Sequence, residues 1–385
     1  MGRNAERDML VEALSSHLNT IRETLLFFDQ TPASTLKKVP WEEVIKMGDN
    51  VSKQATVAGM LWTGNGPRAI EVEENMKSYF NMLVGFLLLS HGSTVGAGPT
   101  LSCFVRQAVQ KIADCSYKLF EAPISSFGAR CSRLDFLRGL KVAKLEATGK
   151  HKENEPPIPQ LVGAVWAACS GLEKIPTTNI AAIGRVMTRV AVSMKDVLRE
   201  MKELKPASTS SKDETSDQTS TRVESEAQDD DDFSGDDFGN DLSPEEMKVA
   251  HSAIAVVSEA LVVVKELMRS ITGLLKLESR NDNGDFVDSL EKLLIQCKGI
   301  GTEIDEIGAS LYPPQDVDLI KVALEKISGM VDDMEKEMAS LPGTSEAFLQ
   351  SCSCLKGSLT QLKSELDCSD PSDLAAEMKN VDLNN

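Results

Sequence analysis

Apolar residues recur at alternating steps of three and four along most of this chain. That spacing lines up one face of an α-helix. In the first half the runs are Val11–Phe28, Trp41–Trp62, Ile70–Ser90, Leu101–Phe120, Leu161–Ser170 and Ile180–Leu204. The third is apolar nearly all round at its end and is expected to be central. In the second half the rhythm is stricter, over Met247–Leu275, Phe286–Leu311, Val317–Leu341 and Phe348–Leu366. The connections there are short, at 281–284, 312–314 and 341–343. Four such helices predict an antiparallel four-helix bundle. Gly299 and Gly301 mark a place where the second of them could bend. The first half predicts a bundle of five or six helices. The fold class expected is therefore all-α, with two bundles.

Between the halves, Ser208–Asp241 holds twelve acidic residues against Lys212 and Arg222, a formal −10 of the chain's −18. Its only large apolar residues are Val223, Phe233 and Phe238. Burying these would not offset the cost of ordering the segment, about 1–2 kcal/mol per residue, so a disordered acidic linker is expected. It ends at Ser243-Pro244-Glu245-Glu246, with a capping Ser, a Pro at the first helical position and a Glu three residues after the Ser. The expected domains are an N-terminal bundle over 1–206, the linker over 207–242, a four-helix bundle over 243–368 and a tail over 369–385.

Composition narrows the function. Eight cysteines are spread thinly, most of them among apolar residues at helical spacing, which suits reduced, buried thiols in an intracellular protein. The charged N-terminus carries no signal-peptide pattern, and Glu6 breaks a myristoylation motif at Gly2. The longest apolar runs, Tyr79–Leu89 and Ala253–Val264, fall short of the ~20 residues that span a bilayer. The expectation is no membrane attachment. Net acidity argues against direct nucleic-acid binding.

Candidate chemistry fails on context. His17, His91, His151 and His251 have no ligand at metal-binding spacing. The stretch Gly64–Ala69 fits G-x-G-x-x-A, but a helix precedes it where a nucleotide fingerprint needs a strand. Residues 281–285 resemble a calcium loop, yet Ser279 and Leu290 stand where carboxylates are required. Glycine-rich 92–98 lacks the Gly-Lys-Ser/Thr of a phosphate loop. Cys352-Ser353-Cys354 has no second pair, and Cys352 fits the core seam. No nucleophile, base and charge stabiliser come together. The chain reads as a non-enzyme without cofactor or metal.

Two segments could carry interactions. Phe127–Lys152 is basic, and Arg130, Arg133, Arg138, Lys141 and Lys144 are candidates for docking an acidic partner or the chain's own linker; a solvated helix face is the alternative. Arg138-Gly139-Leu140 fits the R-x-L form of cyclin-docking peptides, although a packed helix would bury Leu140. In the linker, Ser211, Thr221 and Ser234 lie upstream of acids, a context for an acid-directed kinase; an inert spacer fits equally.

Two stretches carry a resemblance. One is Val165-Trp166-Ala167-Ala168-Cys169 with Ile175-Pro176, Asn179 and Ala181-Ala182. The other is Ala309-Ser310-Leu311-Tyr312-Pro313-Pro314. With the acidic linker between helical halves, the chain resembles the cyclin-D-binding protein family (GCIP, or the Maid/HHM proteins) and looks like a plant member. The resemblance implies an all-helical, non-enzymatic protein shaped like the bundles of vinculin and catenin. It implies binding to D-type cyclins and helix-loop-helix transcription factors, with opposition to retinoblastoma phosphorylation, repression of transcription, and a cytoplasmic and nuclear location. A monomer or weak homo-oligomer is expected. By their own chemistry Trp166 reads as a core residue and Tyr312-Pro313 as a turn. Bundle periodicity alone also fits a vinculin-like scaffold at cytoskeletal or adhesion sites.

Overall fold

The computed structural model describes residues 3–30, 36–62, 68–126, 156–206, 241–275, 284–342 and 345–368. Among them are ten α-helices: α1 (Arg3–Gln30), α2 (Trp41–Trp62), α3 (Ala69–Ser93), α4 (Pro99–Ser126), α5 (Ile158–Ser170), α6 (Asn179–Lys202), α7 (Pro244–Gly273), α8 (Gly284–Ser310), α9 (Val317–Ser340) and α10 (Glu346–Cys368). A 3₁₀ turn, Gly171–Lys174, follows α5. The protein is all-α, as its periodicity predicts. The one strand pairing among the described residues is two residues long: β1 (Lys205–Pro206) runs parallel to β2 (Asp241–Leu242). Leu242, which the sequence reading leaves in the linker, is buried and paired; linker residues 207–240 lie outside the described residues.

The backbone divides into two compact units, residues 1–183 with 278–288, and 184–277 with 289–385. In the first, α3 is central as expected. It packs against α1, α2 and α4 and buries eleven residues from Ala69 to Gly92. Tyr79, Phe80 and Phe120 form its aromatic centre, with ring centroids 5.0–5.8 Å apart. Each such ring contributes about 1.5–3 kcal/mol by leaving water. The Tyr79 hydroxyl donates to Ser116 Oγ at 2.7 Å, and Ser116 donates onward to the Ile112 carbonyl. Every polar atom of that pair is therefore satisfied where loss would be costly. Two long-range hydrogen bonds hold the periphery. Trp41 Nε1 donates to the Leu172 carbonyl at 3.1 Å. Asn179 accepts from Gly98 N–H at 2.7 Å and donates to the Gly96 carbonyl at 3.0 Å. Gly96 has φ 76°, a conformation glycine adopts without strain.

The second unit holds α7–α10 together with α6 from Gly184 onward. The sequence reading places all of α6 in the N-terminal bundle. Its apolar seam instead serves the second unit, which has five helices rather than four. The seam residues Met187, Met194 and Met201 are buried. On the same helix, Val190 and Val197 lie against Gly301 and Gly308 of α8: a Cβ on either glycine would stand 2.8 or 2.7 Å from the valine Cγ1. Both numbers rise together, so α6 and α8 run parallel. Gly299 likewise receives Met330 of α9. These glycines are seats for neighbouring side chains, not the hinge the sequence suggests.

The expected antiparallel order of the other helices holds. Lys292–Glu337 and Glu303–Lys326 bridge α8 to α9. Lys321–Asp367, Glu325–Lys363 and Asp332–Lys356 bridge α9 to α10. As one partner's number rises, the other's falls. Exposed pairs contribute about 0–1 kcal/mol each, so they mark the register more than they stabilise it. Helix α7 begins where predicted: Ser243 Oγ accepts from Glu246 N–H at 3.2 Å, and the Glu246 carboxylate accepts from Ser243 N–H at 2.9 Å. Among the described residues α7 alone is long and apolar enough to cross a bilayer. The bundle accounts for this, since α7 buries eleven residues from Val249 to Ile271, Val249 and Ala250 among them.

Candidate interaction surfaces

The candidate docking residues Arg130, Arg133, Arg138, Lys141 and Lys144 lie outside the described residues, as do Ser211, Thr221 and Ser234. The described helices instead bring forward residues that periodicity passed over.

Trp166 is on the surface, 46% exposed, and not in the core. On α5 the buried positions are Leu161, Val162, Val165, Ala168 and Cys169, and Trp166 falls one step to their side. Its indole N–H donates to the Ser52 carbonyl at 3.2 Å and to Thr56 Oγ1 at 3.1 Å on α2. Helix α5 contains no charged residue, and its outward positions Gln160, Ala164, Ala167 and Ser170 are exposed. Close packing beneath comes from Gly59, which leaves room for Val162. Met60, 68% exposed, stands one turn along α2 from Thr56. An aromatic fixed at one edge and flanked by small side chains is a surface suited to apolar contact.

A second apolar surface lies in the other unit. Tyr312 is exposed in the α8–α9 turn, as a turn residue should be, and Leu319 and Val322 are exposed on the first two turns of α9. Gln315 anchors this turn by donating to the Glu246 and Leu311 carbonyls at 3.0 and 3.3 Å. Asp316 caps α9 by accepting from Leu319 N–H at 3.0 Å.

The titratable groups do not assemble into a reaction centre among the described residues. No group of three His, Cys, Asp or Glu could hold a metal ion there. His17 stacks on Phe80 at 5.2 Å and His91 on Phe28 at 4.4 Å. Burial first, then the Lys77 charge, lowers the His17 pKa, with Glu73 opposing. Burial pushes the thiols of Cys169, Cys297 and Cys352 up to about 12, so they are protonated and poor nucleophiles near neutrality. Cys103 and Cys354 are exposed, whereas Cys169, Cys297 and Cys352 are buried as the sequence suggests for most of the thiols. Burial also raises the Asp114 carboxyl, with Lys118 opposing. Of the motifs set aside, Arg68 and Glu71 form the capping box of α3. His151 and residues 63–67 and 281–283 lie outside the described residues.

Comparison with known proteins places these surfaces in a family. The N-terminal model of the Grap2 and cyclin-D-interacting family matches residues 43–207, and its C-terminal model matches residues 227–336. A relative from Xenopus laevis, Cyclin-D1-binding protein 1 homolog, is 22% identical over 236 residues, which is 61% of this chain and 59% of the relative. The chain thus spans less than two thirds of that relative's length. The family is described by an interaction and not by a catalysed reaction. With both of its characteristic regions present in the right order, on two helical units, the chain belongs to the Grap2 and cyclin-D-interacting family.

Proposed function

We propose that this protein is a non-enzymatic regulatory adaptor. It binds D-type cyclins, helix-loop-helix transcription factors, or both, and through them restrains cell-cycle progression and transcription in the cytoplasm and nucleus. The match to both family regions carries this reading. The relative named for binding cyclin D1 supports it, as do two exposed apolar surfaces on helical bundles, which take partner helices in their grooves.

The test is direct titration of the purified full chain with a purified D-type cyclin by calorimetry. Saturable binding with a Kd of about 10 μM or tighter is expected, that is, at least ~7 kcal/mol of association free energy. A Trp166→Ala or Leu319→Asp variant that keeps its helicity then assigns the surface. No heat at concentrations well above that Kd, with co-sedimentation on actin filaments instead, would replace the adaptor reading with the scaffold one.

A further inference from the structure

Helix α6 differs in charge from the helices it joins. Within α7–α10 there are nineteen acidic side chains and ten basic ones, whereas α6 has two acidic and five basic. Four of those five cations fall on one line. Arg185, Thr188, Val192, Lys195, Arg199 and Lys202 follow one another at steps of three and four, so they share one side of the helix. All six are exposed. The buried seam Met187, Met194 and Met201 occupies the other side. Helix α6 thus has two stripes of the same rhythm, one used by its own bundle and one facing outward.

The outward stripe contains no acid. Asp196 lies to its side and pairs with Arg199 at 3.4 Å, with both side chains more than half exposed. Glu200 lies toward α8: burial first, and then the Glu200 charge, raises the Asp305 carboxyl there. The middle of the stripe is weakly polar. Val192 is 54% exposed, and the Thr188 hydroxyl is satisfied by donating to the Gly184 carbonyl at 2.7 Å. From Arg185 to Lys202 the stripe runs about 26 Å along the helix.

That line selects a partner by shape as well as by charge. Helix α8 packs alongside through Gly301 and Gly308 and exposes Asp288, Asp305 and Glu306. Those acids repel a broad polyanion laid over both helices, such as a nucleic-acid duplex or an anionic bilayer. A single α-helix, about 10–12 Å across, covers the stripe without reaching over α8. Cations on both sides of an apolar contact are also how one helix chooses another.

We infer that the outer face of α6 docks an acidic amphipathic helix of a partner protein, its carboxylates opposite Arg185, Lys195, Arg199 and Lys202 and an apolar side chain on Val192. The inference holds whichever protein supplies that helix, and the surface is separate from those around Trp166 and Leu319. Each exposed ion pair contributes little alone, so the affinity comes from several pairs held in one line. Helical form in the partner therefore matters, and salt weakens the complex.

Fluorescence anisotropy on the full chain tests this with three labelled synthetic probes. One is a helical peptide of about eighteen residues with glutamates at steps of three and four around a central leucine. The second has glutamine in place of glutamate. The third has the composition of the first, reordered so that the glutamates no longer share a face. The first should bind about tenfold or more tightly than the other two, and about fivefold more weakly when salt is raised from about 0.1 to about 0.5 M. Lys195→Glu combined with Lys202→Glu should weaken it about tenfold or more, and Val192→Asp about fivefold, with helicity unchanged. Lys336→Glu, at a cation of α9 that is 75% exposed, should leave binding as it was. Equal binding of the three probes, or none, would overturn the proposal. So would binding that survives the double substitution, which would assign the peptide to another basic segment of the chain. Duplex DNA and phosphatidylserine vesicles are titrated alongside. Tighter binding of either, lost on the same substitutions, would make the face a general polyanion site and overturn the acidic-helix assignment.

Discussion

Replacing a helical glycine by alanine ordinarily stabilises a protein, and α8 is where that rule should reverse. Gly301→Ala gains about 0.5–1 kcal/mol of helix propensity. The new Cβ, however, would stand 2.8 Å from Val190 Cγ1, and in Gly308→Ala the distance to Val197 Cγ1 is 2.7 Å. Real carbons do not approach so closely, and a β-branched side chain on a helix has one strongly preferred χ1 and cannot swing aside. Either α6 moves off α8 or the valine leaves its rotamer, at about 1–3 kcal/mol of overpacking. The net expectation is a loss of about 1 kcal/mol for each substitution and about 2 for the pair. Gly357→Ala on the exposed side of α10, with nothing within 4 Å, is the control and should gain about 0.5–1 kcal/mol. The three tryptophans, Trp41, Trp62 and Trp166, all lie in the first unit, so their fluorescence does not report directly on this one. Hydrogen exchange on α6 and α8 peptides does, at tenfold in rate per ~1.4 kcal/mol. Gly301→Ala placed on a Val190→Ala background should recover the alanine advantage, because the obstructing methyl is gone. If Gly301→Ala stabilises the unit as much as Gly357→Ala, then α6 does not pack on α8 and its assignment to the second unit is wrong.

Two further outcomes follow from the first unit. His17 favours its neutral form when folded, so the unfolded chain takes up the proton first as pH falls; stability should hold above about pH 6.5 and decline below it, toward the lowered folded pKa. Asp114, raised by burial, works in the opposite sense at lower pH, so the measurement is the difference in urea midpoint between the parent and His17→Gln across pH 5–8, and a pH-independent difference would refute the His17 assignment. Asn179→Ala removes the bonds to Gly98 N–H and the Gly96 carbonyl at a buried position and should cost about 2–3 kcal/mol with faster amide exchange over 94–98; unchanged exchange there would show the turn held by other means.

Apolar spacing reports how each helix covers its own stripe, and it located all ten described helices, most ends to within a few residues, although α1 starts eight residues before Val11 and α4 runs six beyond Phe120. Helix starts were legible where side-chain chemistry makes them, as at Ser243 with Glu246. The helix a stripe packs against is a different kind of information. The Met187–Met194–Met201 seam reads the same whichever bundle receives it. The signal that could have assigned it was the pair Gly301 and Gly308, seven residues apart, matching Val190 and Val197 at the same interval. In isolation those glycines look like flexibility. Only an opposing side chain at matching spacing shows that they are sockets.

The surface residues were hidden for a related reason. Trp166 and Leu319 are apolar, and a sequence pattern assigns apolar residues to the interior by default, although much of any folded surface is apolar. Position on the helix decides: Trp166 lies beside the Leu161–Val165–Ala168 seam, and its N–H needs an acceptor that a dry core of small aliphatic residues could not give. The Ser52 carbonyl and Thr56 hydroxyl supply acceptors at the rim, and that fixes the indole half in and half out. A tryptophan so tethered loses little entropy when a partner covers it. The absence of charge along α5 reinforces the point. In a chain that is 26% charged, the exposed positions of α5 carry no lysine, arginine, aspartate or glutamate. Under the proposed function, the uncharged outer face of α5 around Trp166 is the part of the first unit best suited to receive an apolar partner surface.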